Sequence, residues 1–420
     1  MSVLEPEDFA AIDAVAAPAD AMLAASAGSG APRESVVRQP VHTVYVPADR
    51  VAADPDGRLV PSWGAAAREA LDTHAPTALA LAGATGLAPD VVEAVWPRLL
   101  DKLGTEPIED LRVDLEDGYG TRPDDIEDRD AIASAQALVA ATQAGIAPPY
   151  LGFRIKSMEP ATRHRGLRSL DVALGVLARS GLPSGFVVTL PKVSAVAQVD
   201  AMAVACGRLE ERYGLGAGRL RFEVQVESPA AVQGPDGTAT VARIVHAGEG
   251  RVCGLHFGTY DYSAALGVAG PYQSLEHPAA DHAKAVMQLA AAGTGVALSD
   301  GSTNVLPVGD RQSVHTAWRL HARLVRRSLE RGFYQGWDLH PAQLPTRFLG
   351  TYVFFRAGLE PALQRLRAYV DGVGGGTLDE PATARALAGF VLRGLHCGAV
   401  ADAELGIDPA RLRALAVAKS

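Results

Sequence analysis

FVVTLPKVSAVAQVDAMAVACGRLEERYGLGAGRLRFEVQV (Phe186–Val226) contains one full repeat of the fold. Its first run, Phe186–Leu190, is apolar and β-branched without clean two-residue alternation, as expected of a strand covered on both faces. Val196–Tyr213 is an Ala/Val/Leu-rich run too long for an ordinary strand and reads as a helix. Leu220–Val226 is again β-rich. Strand, helix and strand in this order imply a βαβ unit with parallel pairing.

Working outward, the same alternation recurs along the chain. The other strand candidates are Val41–Val46, Leu111–Leu115, Leu151–Ile155, Val252–Phe257, Gly295–Leu298 and Gly336–Leu339, which brings the total to eight. Ile132–Thr142 and Val314–Arg331 are further helical runs. In the latter, Val314, Trp318, Val325 and Leu329 suit one buried face, and Arg319, Arg323, Arg326 and Arg327 fall on the other. Eight units predict an α/β fold of the closed (β/α)8 TIM-barrel type over residues 41–350. The competitor is an open doubly wound sheet, which the lack of a GxGxxG after the first strand disfavours. Residues 1–40 read as a short helix and a loose lead-in. Residues 351–420 read as a C-terminal helical extension with a glycine-rich connector, DGVGGGTLDEP, inside it.

Composition narrows the function classes. The chain has 420 residues, 48% hydrophobic and 21% charged, with a formal net charge of −9. Such an acidic balance does not suit non-specific nucleic-acid binding, which runs on neutralising phosphates. No apolar run reaches membrane-spanning length. The start, MSVLEPEDFAAIDA, has early acids and no basic leader, so a soluble cytoplasmic protein is expected. Cys206, Cys253 and Cys397 are too few and too scattered for a disulfide framework or a zinc site.

Barrel chemistry collects where strands end. Here those ends carry Glu116 and Asp117, Arg154 and Lys156, Lys192, the alternating row Glu223, Gln225 and Glu227, His256 and Asp261, Asp300, and Asp338, His340 and Gln343. Glu227 and Asp261 close adjacent strands. Two carboxylates with open positions beside them suit Mg2+ or Mn2+, hard cations that prefer oxygen. The plainer reading makes Asp261 a helix cap and Glu227 a surface charge. Arg154, an inward arginine, needs a partner. That partner is either the carboxylate of a small 2-oxo acid or a salt bridge to Glu116 or Asp117. His256 has the resting pKa of a general base, a metal-bound hydroxide and Asp300 are alternatives, and a satisfied strand histidine is the plain reading. Lys192 could instead form a Schiff base. Arg163, His164, Arg165 and Arg168 are either a CoA phosphate contact or a solvated helix face.

The ordered motifs DLEDGYG (Asp114–Gly120), FRIKS (Phe153–Ser157), LPKV (Leu190–Val193), VQVES (Val224–Ser228), FGTYDYSAALGV (Phe257–Val268) and LHPAQ (Leu339–Gln343) are together similar to the citrate lyase β-subunit-like group. That group belongs to the phosphoenolpyruvate/pyruvate-type barrel superfamily, with the HpcH/HpaI aldolases and malate synthases. The resemblance covers roughly residues 41–348. It implies a divalent metal, Mg2+ or Mn2+, held by Glu227 and Asp261. It also implies a substrate carbonyl or carboxylate held by Arg154, and an acidic rim at Glu116 and Asp117. His340 and Gln343 match its IHPxQ element. Gly258 and Thr259, with Lys156 and Asp300, complete the candidate substrate contacts. The sequence departs from the pattern at Lys156, where RxN has asparagine, at Ser228 for threonine, at His256, and in the polar SDGSTNVLP segment (Ser299–Pro307), which has some likeness to malate synthases.

The implied function is a metal-dependent carbon–carbon lyase or aldolase. It would act on a small 2-oxo acid or an acyl-CoA thioester through a metal-stabilised enolate, with Arg154, His256, Glu116 and Asp117 as the catalytic set. The resemblance also implies a homo-oligomer, a trimer or hexamer. Two alternatives stand beside it: a malate-synthase-like acyl-CoA condensing enzyme or thioesterase, and a non-catalytic barrel subunit.

Overall fold

The computed structural model describes residues 10, 13–18, 37–371 and 380–417. Eight strands form one sheet: β1 (His42–Pro47), β2 (Asp110–Asp114), β3 (Tyr150–Arg154), β4 (Phe186–Leu190), β5 (Arg221–Val226), β6 (Val252–Phe257), β7 (Ala297–Ser299) and β8 (Gly336–Asp338). Their order is β7-β6-β5-β4-β3-β2-β1-β8, and every pair is parallel. A parallel bridge between Ser299 and Gln335, with Asp300 N donating to Gln335 O at 2.8 Å, joins β7 to β8. The sheet is therefore a nearly closed (β/α)8 barrel. Each expected strand lies within two residues of an observed one.

The repeat at Phe186–Val226 folds as read, with its helix spanning Val196–Tyr213. The expected Ile132–Thr142 helix lies inside Asp124–Gln143, and Val314–Arg331 corresponds to Arg311–Glu330. On the latter, Val314, Trp318, Val325 and Leu329 are buried, and Arg319 and Arg323 are exposed. Helix Leu344–Asp371 runs through residue 350 and packs against helices Pro89–Thr105 and Arg311–Glu330. Its Phe348, Tyr352 and Phe355 join the main hydrophobic core. Helix Pro381–His396 follows it. The glycine-rich connector, and most of the expected lead-in, lie outside the described residues; residues 13–18 are helical. Among the described residues no single helix is long and apolar enough to cross a membrane.

The sheet's outward face is apolar: Val188, Phe222, Val224, Val226, Leu255 and Phe257 pack under the helices. Its inward face is polar. Arg112 on β2 donates from Nη2 to Glu223 Oε2 on β5 at 3.0 Å and from Nε to Thr189 Oγ1 on β4 at 3.0 Å, and it also pairs with Asp110. Strands β2 and β5 are not neighbours, so these bonds cross the lumen. His256 Nε2 stands 2.9 Å from Glu223 Oε2, and Trp337 Nε1 on β8 donates to His256 Nδ1 at 3.1 Å. Buried ions must be paired and hydrogen-bonded, and this lattice supplies the partners. It forms a polar plug beneath the strand ends that carry the site.

Candidate active site

The site grows from β2 and β3. Their parallel register sets Asp114 opposite Arg154. Arg154 donates from Nε to Asp114 Oδ1 at 2.7 Å and from Nη2 to Asp114 Oδ2 at 2.6 Å, a two-pronged pair of the strong kind. The guanidinium lies 4.8 Å from the Tyr45 ring centre. Burial works against the Arg154 charge, but Asp114 and Glu116 outweigh it and raise its pKa. Asp114 also accepts from Glu116 N and Gly118 N at 3.0 and 2.8 Å, which shapes the turn that presents Glu116 and Asp117.

Glu116 Oε2 stands 3.6 Å from Arg154 Nη1, the corner of the fork that Asp114 leaves free. Burial pushes the Glu116 carboxyl up to about 7; Arg154 opposes the shift and Asp117 adds to it. For Asp117 burial acts in the same upward sense, but hydrogen bonding with Glu116 and Lys192 holds it below its ordinary value.

Lys192 follows Pro191 at the end of β4, with φ at +52°. Its backbone N donates to Glu227 Oε1 at 2.6 Å. Its ammonium lies 2.7 Å from Asp261 Oδ2, 3.0 Å from Asp117 Oδ2 and 3.4 Å from Glu116 Oε1. Burial would lower its pKa, and these carboxylates, Asp261 first, raise it instead. Glu227 follows β5 and is 7% exposed, and burial raises its pKa against Lys192 and Arg154. Gly258, after β6, makes room for it: a Cβ there would lie 2.3 Å from Glu227 Cβ and 2.8 Å from Oε2. Asp261 sits in the first turn of helix Thr259–Ala265, so it is a pairing group rather than the cap.

The mouth thus gathers Asp114, Glu116, Asp117, Glu227 and Asp261 around Arg154 and Lys192. Oxygen donors in acidic excess are the donor set a hard divalent cation takes. Among the described residues no group of three or more His, Cys, Asp or Glu side chains is preset to hold a metal ion. The donors therefore fit such a cation in type and charge, while the point on which Asp261, Asp117 and Glu116 converge holds the Lys192 ammonium.

Other expected residues are placed elsewhere. Both ring nitrogens of His256 are engaged, by Glu223 and Trp337, within the polar plug. Lys156 Nζ donates to Leu115 O and Glu127 Oε2, each at 2.7 Å. Asp300 is buried and takes Lys284 Nζ at 3.0 Å and Ser328 Oγ at 2.6 Å. His340 Nδ1 accepts from Ala342 N at 3.2 Å, and Gln343 Oε1 from Leu339 N at 2.7 Å, so both cap the turn after β8. Thr259 is buried with its hydroxyl unpartnered. Of the basic run after β3, Arg165 pairs with Glu127 and Asp128, and Arg168 with Asp128. Asp114 as the partner of Arg154 was missed by the sequence reading. The signal for it was the matching position of the two residues at the ends of adjacent parallel strands.

A family model described as a domain of unknown function (DUF6986) matches residues 20–420. No curated protein matches the chain. Among solved structures the chain is similar to a citrate lyase from Burkholderia xenovorans LB400, at 21% identity over 76% of this chain and 92% of that one, with a TM-score of 0.55. It is also similar to a Haloferax volcanii malate synthase in complex with magnesium and glyoxylate, at 16% identity over 74% of each chain and a TM-score of 0.47. A third is protein CitE from Mycobacterium tuberculosis in complex with magnesium, acetoacetate and coenzyme A, at 17% identity over 86% of this chain and 99% of that one, with a TM-score of 0.46. At these identities the likeness is one of fold. The family resemblance read from the motifs is met at that level.

Proposed function

From the premise that the chain belongs to the DUF6986 family, we propose that it is a divalent-metal-dependent carbon–carbon lyase or aldolase acting on a small 2-oxo acid or an acyl-CoA thioester. One observation carries the reading. Carboxylates from the ends of β2 and β6 surround a single cation position at the barrel mouth, Glu227 from β5 binds the backbone of the same lysine, and Arg154 stands beside them. Glu227 and Asp261 would hold Mg2+ or Mn2+, which when bound supplies Lewis-acid charge to substrate oxygens.

The chain's own residues have separable tasks. Asp114 holds the Arg154 fork in one orientation, so that Nη1 faces the mouth and can meet a substrate carboxylate or a developing oxyanion. Glu116, brought by burial to about 7, is poised to take a substrate hydroxyl proton near neutral pH. In the retro-aldol direction that proton leaves to Glu116, the carbon–carbon bond breaks, and the electron pair stays on the fragment that becomes the enolate. His256 is displaced from the role of base because its two nitrogens are already bonded. Lys192, held as an ammonium among carboxylates, is a poor imine-forming nucleophile.

The test is turnover of pyruvate with a panel of aldehydes and acyl-CoAs, in Mg2+ and in EDTA. Activity is expected only with metal and is expected to fall by at least about 100-fold in Glu227→Gln, the scale set by loss of one oxyanion-stabilising group. Activity indifferent to both EDTA and that substitution overturns the reading. Borohydride with pyruvate is expected to leave Lys192 unmodified.

A further inference from the structure

We propose that Lys192 is a built-in cation that holds the carboxylates of the mouth together without metal, and that a divalent ion has to compete with its ammonium for them. The inference rests on the metal-dependent reading above and adds how that site is regulated.

Three independent features single out Lys192. The first is position: one ammonium stands 2.7, 3.0 and 3.4 Å from oxygens of Asp261, Asp117 and Glu116, residues from two different strand ends. The second is backbone conformation. With φ at +52°, Lys192 is one of two non-glycine residues in the left-handed region among the described residues. That conformation is costly for a side chain with a Cβ and persists only where surrounding contacts enforce it. Here it lets one residue point its backbone N–H at Glu227 and its side chain at Asp261. The two carboxylates expected to hold the metal are thus both bonded to Lys192. The third is the ligand spacing: among the described residues no three His, Cys, Asp or Glu side chains are preset to hold a metal ion, and the three carboxylates that converge do so on the ammonium.

These features have one physical consequence. A divalent ion ligated by Asp261 would stand close to the ammonium from which Asp261 Oδ2 accepts at 2.7 Å, and the two cations would repel, so each weakens the other's hold on that carboxylate. Metal binding is therefore strongest when the Lys192–Asp261 pair opens. The flexible four-carbon stem can swing the ammonium away, leaving it Asp117 and Glu116 as partners. Metal affinity is lowered by the ion pairs it replaces, and the site is never an uncompensated acidic cluster.

The experiment is Mn2+ binding to the full chain, read by electron paramagnetic resonance of the free ion, in wild type, Lys192→Met and Lys192→Gly. The glycine variant removes the ammonium at a backbone conformation that glycine adopts freely, so it guards against misfolding of the methionine variant. Both variants are expected to bind Mn2+ at least tenfold more tightly than wild type. Thermal melts give a second readout: Mn2+ should raise the melting temperature of either variant by more than it raises that of wild type. Equal or weaker affinity in both variants overturns the competition proposal and leaves the metal reading standing. Absence of Mn2+ binding from all three proteins overturns both.

Discussion

Asp114 and Arg154 face each other across the β2–β3 register and close two hydrogen bonds of 2.7 and 2.6 Å, with the guanidinium laid over Tyr45. Arg154 is 7% exposed, so its charge depends on nearby carboxylates, Asp114 before Glu116. Asp114→Asn is therefore expected to destabilise the fold by about 2–4 kcal/mol in urea unfolding, the scale for stripping a buried charge of its partner. It should also lower kcat/KM by freeing the fork. Arg154→Lys should not restore function, because a lysine cannot make the two-pronged pair.

Glu116 gives the site a signature against pH. Its folded pKa, about 7, lies above the ordinary 4.5, so its ionisation opposes folding. The associated stability is complete below about 4.5 and is lost as pH rises through about 7. In metal-free protein, Glu116→Gln should match wild type at pH 4 and exceed it at pH 8, by at most about 3 kcal/mol. If Glu116 is the base, kcat/KM of wild type rises through the same window and the variant lacks that limb.

Gly258→Ala tests the seat of Glu227. The added methyl would sit 2.3 Å from Glu227 Cβ, closer than atoms pack, so the carboxylate or the turn must move. Mn2+ affinity is expected to drop by about tenfold or more, with a stability loss of about 1–3 kcal/mol, as for overpacking elsewhere.

His256 and Asp300 should behave as structural groups. His256→Gln breaks the bonds to Glu223 and Trp337 and is expected to cost about 2 kcal/mol of stability, without shifting the acid limb of the pH–rate profile. Asp300→Asn strips the buried Lys284 ammonium of its nearer carboxylate and leaves Asp281 at 3.8 Å. It should cost about 3–5 kcal/mol and leave Mn2+ affinity within twofold of wild type.

The sequence by itself determined the barrel. Buried parallel strands are continuous apolar runs, and the helices between them keep a 3.6-residue apolar stripe, so both signals are local and survive in one dimension. The strand-end residues could be nominated in the same way, because strand ends are marked by proline, glycine and sudden polarity. Which of them meet was decided only by tertiary structure. Lys192 lies 69 residues from Asp261 and 75 from Asp117, and nothing in their spacing joins them. Register, closure of β7 on β8 and the left-handed turn at Lys192 bring these charges within hydrogen-bond reach. The same closure turns His256 and Asp300 toward partners of their own, since a buried ion settles on the nearest group that offsets its lost hydration.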